Sequence, residues 1–132
     1  MLRIAMLSTG EEVLHGDIVD TNAAWLSQLF FENGFSLSKR STVGDEKSSL
    51  VEELMMLSFN SDVVIVNGGL GPTTDDLSAE AAALAGELEL VEYPEWTEKL
   101  EAFFAARSVK MPESNRKQAM LPQGSVIIDN PI

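Results

Sequence analysis

The stretch DVVIVNGGLGPTTDD, residues 62–76, decides the fold of this chain. Its first five residues, Asp62–Val66, include four consecutive β-branched residues, which predicts a strand with no polar face that helices cover on both sides. The glycines and Pro72 end this strand, and an alanine-rich helix is predicted from about Leu77 to Ala85. A buried strand, a tight loop and a helix form the repeating unit of an α/β protein.

The remainder of the chain continues this alternation. The predicted order β-α-β-α-β-α-α-β implies an α/β fold, a three-layer sandwich with a mostly parallel sheet, in a single domain over residues 1–132. No helix follows the last predicted strand, so a domain truncated at its carboxyl end stays an alternative. The other predicted strands are Leu2–Leu7, Phe35–Val43 and Ser125–Ile128; the other predicted helices begin at Asp20 or Thr21, at Asp45, at Pro94 and at Glu113.

Composition excludes several classes of protein. The chain has no cysteine, which rules out a disulfide scaffold, a thiolate metal site and a cysteine nucleophile. A formal charge of −12, from 9 basic and 21 acidic residues, is unfavourable for nucleic acid, because lysine and arginine supply the non-specific affinity for phosphates. No apolar run reaches the roughly eighteen residues of a membrane span, and no signal peptide precedes the first strand. We expect a cytoplasmic protein without a nucleic-acid or membrane partner.

The glycine-rich segment after the buried strand is the first candidate site. Ligands of open α/β sheets bind beyond the carboxyl ends of the strands. The absence of a Cβ at Gly68, Gly69 and Gly71 lets backbone amides approach a ligand, and Thr73 and Thr74 add hydroxyl donors near the start of a helix, where anions bind favourably. We predict that this segment holds a phosphorylated small molecule. The alternative is a tight connection in which an aspartate caps the next helix.

Asp75 and Asp76 predict a metal at the same place. Two carboxylates would repel a phosphate, whereas Mg²⁺ is typically bound by one or two carboxylates together with phosphate oxygens. We therefore predict that both aspartates hold a divalent metal and are catalytic. One of them is sufficient for a helix cap, and a solvated surface aspartate is the alternative for the other.

Other candidates lie near the ends of the remaining elements. Ser8, Thr9 and Gly10 end the first strand, and Asp20 and Asn22 begin the next helix, where a plain helix cap is the alternative for Asp20. Lys117 lies in the segment NRKQ, residues 115–118, which either binds a phosphate or forms an ordinary solvated face. Two further groups are predicted to be structural: His15 is a surface residue, and Trp25, Trp96, Phe103 and Phe104 are packing residues.

Four segments together resemble a known family. In order along nearly the whole chain, they look like the amino-terminal domain of CinA (competence/damage-inducible) proteins, which is similar to the molybdopterin-binding fold of the MoaB, MogA and MoeA proteins. The segments are residues 8–12, 16–22, 68–76 and 115–119.

The resemblance implies a molybdopterin-type pocket and a choice of activities. Some CinA-type domains are metal-dependent pyrophosphatases that split ADP-ribose into AMP and ribose 5-phosphate. The second, carboxyl-terminal domain of CinA proteins, which has nicotinamide mononucleotide deamidase activity, has no counterpart here, so that activity is not expected. In the MogA type an arginine commonly stands where this chain has Asp75, a departure that favours a metal-bridged diphosphate over a bare pterin phosphate.

The leading hypothesis is hydrolysis of a nucleotide diphosphate, preferably ADP-ribose, with Mg²⁺, Mn²⁺ or Co²⁺. The glycines and threonines would cradle the diphosphate, Asp20 and Asn22 would contact ribose, and Lys117 would offset charge. The alternatives are a molybdopterin- or pterin-binding module without hydrolysis, and a subunit with a degenerate pocket that serves oligomerisation. A homo-oligomer is expected in any case, with Phe30 and Phe31 in the contact.

Overall fold

A parallel sheet forms the centre of the computed structural model, which describes residues 1–131. Strand β1 lies between β2 and β3, and both pairings are parallel, so the strand order is β2-β1-β3. All six residues of β1 are buried, as a short apolar run at the centre of a sheet requires. The α/β fold with a mostly parallel sheet is confirmed. The strands are β1 (Ile4–Thr9), β2 (Leu37–Val43) and β3 (Val63–Asn67).

Helices cover this sheet. From β1, Ala5 and Leu7 pack into a cluster with α3 and α4, to which Leu50 and Ala81 belong. Because side chains alternate along a strand, Met6 faces the opposite side, and it is equally buried. Both faces of β1 are therefore covered. The helices are α1 (Glu11–Leu14), α2 (Thr21–Glu32), α3 (Lys47–Asn60), α4 (Ser78–Ala85) and α5 (Pro94–Ala105).

A small antiparallel ribbon packs against α4. Strand β4 (Leu90–Glu92) pairs with β5 (Met120–Pro122), and a 3₁₀ helix, Glu113–Ala119, leads directly into β5. The predicted short helix over the same residues is thus a 3₁₀ helix. Neither β4 nor β5 was predicted, because three residues are too few to show an alternating pattern.

Two strand predictions need correction. Strand β3 is not covered on both sides, since Val63 is 41% exposed and the rest of the strand is half-buried. Within residues 1–131, β2 and β3 are the two edges of the three-stranded sheet, and β1 is its central strand. Residues 125–128 are not a strand: Val126 and Ile128 are exposed, and their β-branched side chains find no neighbouring strand in the described chain.

The structure confirms one predicted helix cap, and it contradicts another cap and one predicted packing residue. Asp20 caps α2 as predicted, with its carboxylate accepting from the Ala23 amide at 3.0 Å. Asp45 does not cap α3, which begins at Lys47 behind Glu46, because the Asp45 carboxylate instead accepts from the Glu11 amide at 3.4 Å. Trp25 is 64% exposed and is not a packing residue.

The two phenylalanines predicted to form a subunit contact differ in exposure. Phe31 is exposed, whereas Phe30 is half-buried. Among the helices of residues 1–131, none has the length and apolar character needed to cross a bilayer.

Candidate functional site

The glycine loop, defined as residues 67–76, starts at the carboxyl end of β3. Its first residue, Asn67, pairs in register with Ser8 near the end of β1. The chain runs from β1 to β2 on one side and to β3 on the other, so strand order reverses between β1 and β3. Ligands of open α/β sheets bind at such a switch point, and the loop was predicted there.

Gly68 and Gly69 allow the glycine loop to pack closely on β1 and α4. Their φ angles are +102° and +69°, in the region that disfavours residues with a Cβ. A Cβ on Gly68 would lie 2.7 Å from the carbonyl oxygen of Thr9, and one on Gly69 would collide with the hydroxyl of Ser78. The Ser78 hydroxyl also donates to the Gly68 carbonyl at 2.6 Å. These two glycines are needed for packing on β1 and α4, whatever ligand the loop binds.

Asp76 closes the far end of the glycine loop. Its Oδ2 atom accepts from both the amide and the hydroxyl of Thr73, at 2.9 and 2.8 Å. Partial burial raises the pKa of Asp76, but the hydrogen bonds from Thr73 and the Gly71 amide, together with the Lys117 charge, hold that pKa below its usual value. The loop thus stabilises a negative charge of its own, and Asp76 is not a helix cap, since Leu77 is at that position.

We expect Asp76 to stabilise the folded chain less in acid than at neutral pH. The pKa of Asp76 is lower in the folded chain than its ordinary value of 3.8, so the stabilisation is complete above that value and is lost as the pH falls through the folded pKa. The measurement is urea unfolding of wild type and Asp76→Asn from about pH 6 to about pH 2. The difference between them should shrink in acid; a difference that stays constant would contradict this assignment.

The 3₁₀ helix supports the glycine loop from the other side. The ammonium group of Lys117 donates to the carbonyl of Thr73, and the side-chain amide of Gln118 donates to the carbonyl of Leu70 at 3.3 Å. Neighbouring Arg116 pairs with three carboxylates, which fix this segment: Glu113 at 3.2 Å, Glu92 at 3.5 Å and Glu101 at 3.6 Å. Lys117 is therefore held beside Asp76 by a rigid support.

A cavity of about 530 Å³ is bordered by the glycine loop, α4, the β4–β5 ribbon, the 3₁₀ helix, α5 and the segment 125–130. Such a volume is typical of small-molecule sites. Two backbone amides of its wall, those of Gly69 and Leu70, donate to no acceptor within residues 1–131. The predicted site residues in its wall are Gly69, Gly71, Asp76 and Lys117.

Asp20 and Asn22 join a different cluster. The side-chain amide of Asn67 donates to Asp20 Oδ1 at 3.2 Å, and that of Asn22 donates to Asn67 Oδ1 at 3.5 Å. The start of α2 is thereby tied to the first residue of the glycine loop. Asn67 was not predicted as a site residue, although a polar side chain that ends an apolar strand is a usable signal. The predicted contact of Asp20 and Asn22 with ribose stays a prediction.

The remaining predicted site residues also lie outside the cavity wall. Ser8 and Thr9 are buried in β1, and the backbone of Thr9 supports Gly68. Gly10 follows with φ +140°, while Thr73, Thr74 and Asp75 lie on the exposed turn of the glycine loop. The structure thus brings only part of the predicted set together around one cavity.

The carboxylates of the loop fit a divalent metal only in part. Within residues 1–131, no group of three or more His, Cys, Asp or Glu side chains is arranged to hold a metal ion. Asp76 lies in the cavity wall with a pKa held low, whereas Asp75 is exposed beside it. One or two carboxylates suffice for Mg²⁺ when a phosphate completes the ligands. Asp76 would hold such an ion jointly with a phosphorylated ligand.

The fold and the site define a class of protein: an α/β domain with a parallel sheet and a cavity beside the glycine loop that follows strand β3. Residues 5–128 match the family model described as "Probable molybdopterin binding domain", and the chain belongs to that family.

Curated relatives narrow this class. The chain is 54% identical over 131 residues to a CinA-like protein of Shewanella woodyi, which covers 99% of the chain and 31% of that protein. It is 55% identical over 132 residues to a CinA-like protein of Escherichia coli O9:H4 strain HS, covering 100% of the chain and 33% of the relative. The resemblance to CinA is confirmed, and the chain spans about a third of the length of these relatives.

Solved structures agree. The protein CinA of Thermoplasma acidophilum, whose function is described as unknown, matches with a TM-score of 0.89 and 25% identity over 98% of this chain and 76% of that one. The molybdopterin biosynthesis enzyme MoaB of Thermus thermophilus matches with a TM-score of 0.59 and 22% identity, over 91% and 73% of the two chains. The MoaB likeness confirms the fold alone.

Proposed function

We propose that this domain binds a phosphorylated ligand of pterin or nucleotide type, with its phosphate groups against the glycine loop. The observation that supports this most is the cavity wall, which contains Lys117 together with Gly69 and Leu70, whose two amides have no protein acceptor within the described chain. Amides and a lysine are what a phosphate requires. The family description and the names of the MoaB-type neighbours, which refer to molybdopterin, support the pterin end of this range.

A second candidate activity is metal-dependent hydrolysis of a diphosphate linkage, with ADP-ribose as the preferred substrate. The observation that favours it is the ionised Asp76 in the cavity wall, next to Lys117. A divalent cation bound there with the ligand would supply Lewis-acid polarisation of a phosphoryl oxygen. Water would add across the bridging P–O bond, forming a new P–O bond on one phosphorus and releasing AMP and ribose 5-phosphate. Asp76 would hold the divalent cation, and the amides of the glycine loop would bind the negatively charged phosphate oxygens.

The binding proposal is tested by calorimetric titration with pyrophosphate, with and without Mg²⁺. We expect wild type to bind, and Lys117→Met to bind at least about tenfold more weakly, because a charge-assisted hydrogen bond is lost. The matched control is Lys110→Met, which removes the same charge from an exposed lysine outside the cavity wall. Wild type that fails to bind under either condition, or equal weakening in the two variants, would refute the proposal.

A further inference from the structure

The two ends of the cavity differ in chemistry. The end at the glycine loop presents backbone amides, Asp76 and Lys117, and the nearby Glu80 is paired with Lys47 at 3.6 Å. The other part of the wall, called here the apolar end, contains Leu90, Trp96, Leu100, Met120 and Leu121, together with Val126, Ile127 and Ile128 of the segment after β5. A phosphate or a sugar phosphate alone would leave this apolar end filled with water, so the cavity suits a ligand with one anionic part and one apolar part.

Trp96 dominates the apolar end. It lies in the first turn of α5, behind Tyr93 and Pro94, and its amide donates to the Tyr93 carbonyl at 3.0 Å. The neighbouring Thr97 is buried, whereas Trp96, which was predicted to be a packing residue, is only half-buried. Trp96 lies in the wall of the cavity and in that of a second depression, which it forms with Lys99 and residues of the segment after β5, so it borders open space instead of the protein interior.

The indole of Trp96 has a cation nearby but no aromatic neighbour in the described chain. The ammonium of Lys99 lies 5.6 Å from the ring centroid and is also bound to Asp129 at 2.7 Å. Among residues 1–131, the aromatic pair in contact is Phe103 with Phe104, and Trp96 stacks on no other ring. An indole that borders a cavity without an aromatic partner is a suitable surface for a planar ligand ring.

We infer that Trp96 binds the planar heteroaromatic ring of the ligand whose phosphates contact the glycine loop. This inference rests on the proposed function and narrows its ligand class: a purine nucleotide or a pterin phosphate is accepted, and a phosphorylated sugar without an aromatic ring is bound weakly. Trp96 is a specificity-determining residue in this arrangement, because stacking adds affinity only for ligands that carry a flat ring.

The first test uses the fluorescence of Trp96. The chain has 2 tryptophans, and Trp25 is exposed on α2, outside the cavity wall, so Trp25→Phe leaves Trp96 as the single reporter. We expect ADP to quench Trp96 and pyrophosphate and ribose 5-phosphate to leave its emission unchanged. Binding of ADP, measured by calorimetry, without any change in Trp96 emission would overturn the inference.

The second test compares affinities. We expect Trp96→Ala to weaken ADP about tenfold, as loss of one stacking contact does, and to leave pyrophosphate unaffected. Trp96→Phe should retain most of the ADP affinity, and Trp25→Ala, the matched loss of an exposed indole, should bind both ligands like wild type. Because Trp96→Ala removes part of the cavity wall, its thermal unfolding is measured as well. If Trp96→Ala does not fold, the ADP affinity of Trp96→Phe and the quenching of Trp96 decide whether Trp96 binds the ring.

The outcomes separate this inference from the proposed function. Equal weakening of ADP and pyrophosphate in Trp96→Ala, or wild type that binds ADP no more tightly than pyrophosphate, would refute the role of Trp96 and leave the phosphate site at the glycine loop intact. Failure of wild type to bind pyrophosphate would refute the phosphate site itself.

Discussion

Asp76→Asn should lower metal-dependent AMP release from ADP-ribose by at least about 100-fold, since electrostatic contributions of this kind are worth several kcal/mol. Asparagine has the same size, and its carbonyl oxygen can still accept from the amide and hydroxyl of Thr73, so the closing turn of the loop is preserved. What the variant loses is the negative charge that a divalent ion needs. The assay measures AMP with Mg²⁺, Mn²⁺ and Co²⁺ in turn.

Two further variants sharpen the hydrolysis test. Asp17→Asn is the matched control, because Asp17 is exposed outside the cavity wall and should turn over like wild type. Asp75→Asn asks whether the second predicted metal ligand contributes, and its exposed position predicts a smaller loss than at Asp76. Wild type without AMP release under any of the three ions, or Asp76→Asn as active as wild type, would remove hydrolysis and leave ligand binding alone.

Gly68→Ala should destabilise the folded chain by about 2–4 kcal/mol. A positive φ costs a residue with a Cβ about 1–2 kcal/mol, and a backbone clash adds to it. The new methyl group would lie 2.7 Å from the Thr9 carbonyl oxygen, which belongs to the buried central strand and has little room to move. Urea unfolding measures the change in free energy.

Gly124→Ala separates the two causes. Gly124 has a similar φ of +90°, but a Cβ there meets nothing within 4 Å. Its replacement should therefore cost only the conformational part, about 1 kcal/mol. Equal losses at the two positions would show that the approach of the loop to β1 is not what requires Gly68.

Local signals made part of this molecule predictable. Asp20 bonds to an amide three residues away, so its role as a helix cap could be predicted from the sequence. The glycine loop could be predicted because its composition is unusual after an apolar strand. The sequence could not show why residue 68 must be glycine, because the carbonyl oxygen that a Cβ would meet belongs to Thr9, which is far away in the chain.

Pairings between distant residues account for the misses. Strands β4 and β5 have three residues each, and each exists only because the other lies beside it. The hydrophobic run at residues 125–128 has strand propensity but no strand beside it in the described chain, so propensity alone gave the wrong answer.

The β4–β5 ribbon sets the order in which the cavity is completed. The Tyr93 hydroxyl donates to the Pro122 carbonyl across 29 positions of the chain. Tyr93 directly follows β4, and Pro122 is the last residue of β5. During synthesis, the glycine loop leaves the ribosome well before the segment that walls its apolar end. A nascent chain would thus possess the glycine loop before β5 could pair with β4, and the part of the wall that contains Met120 and Leu121 would form last.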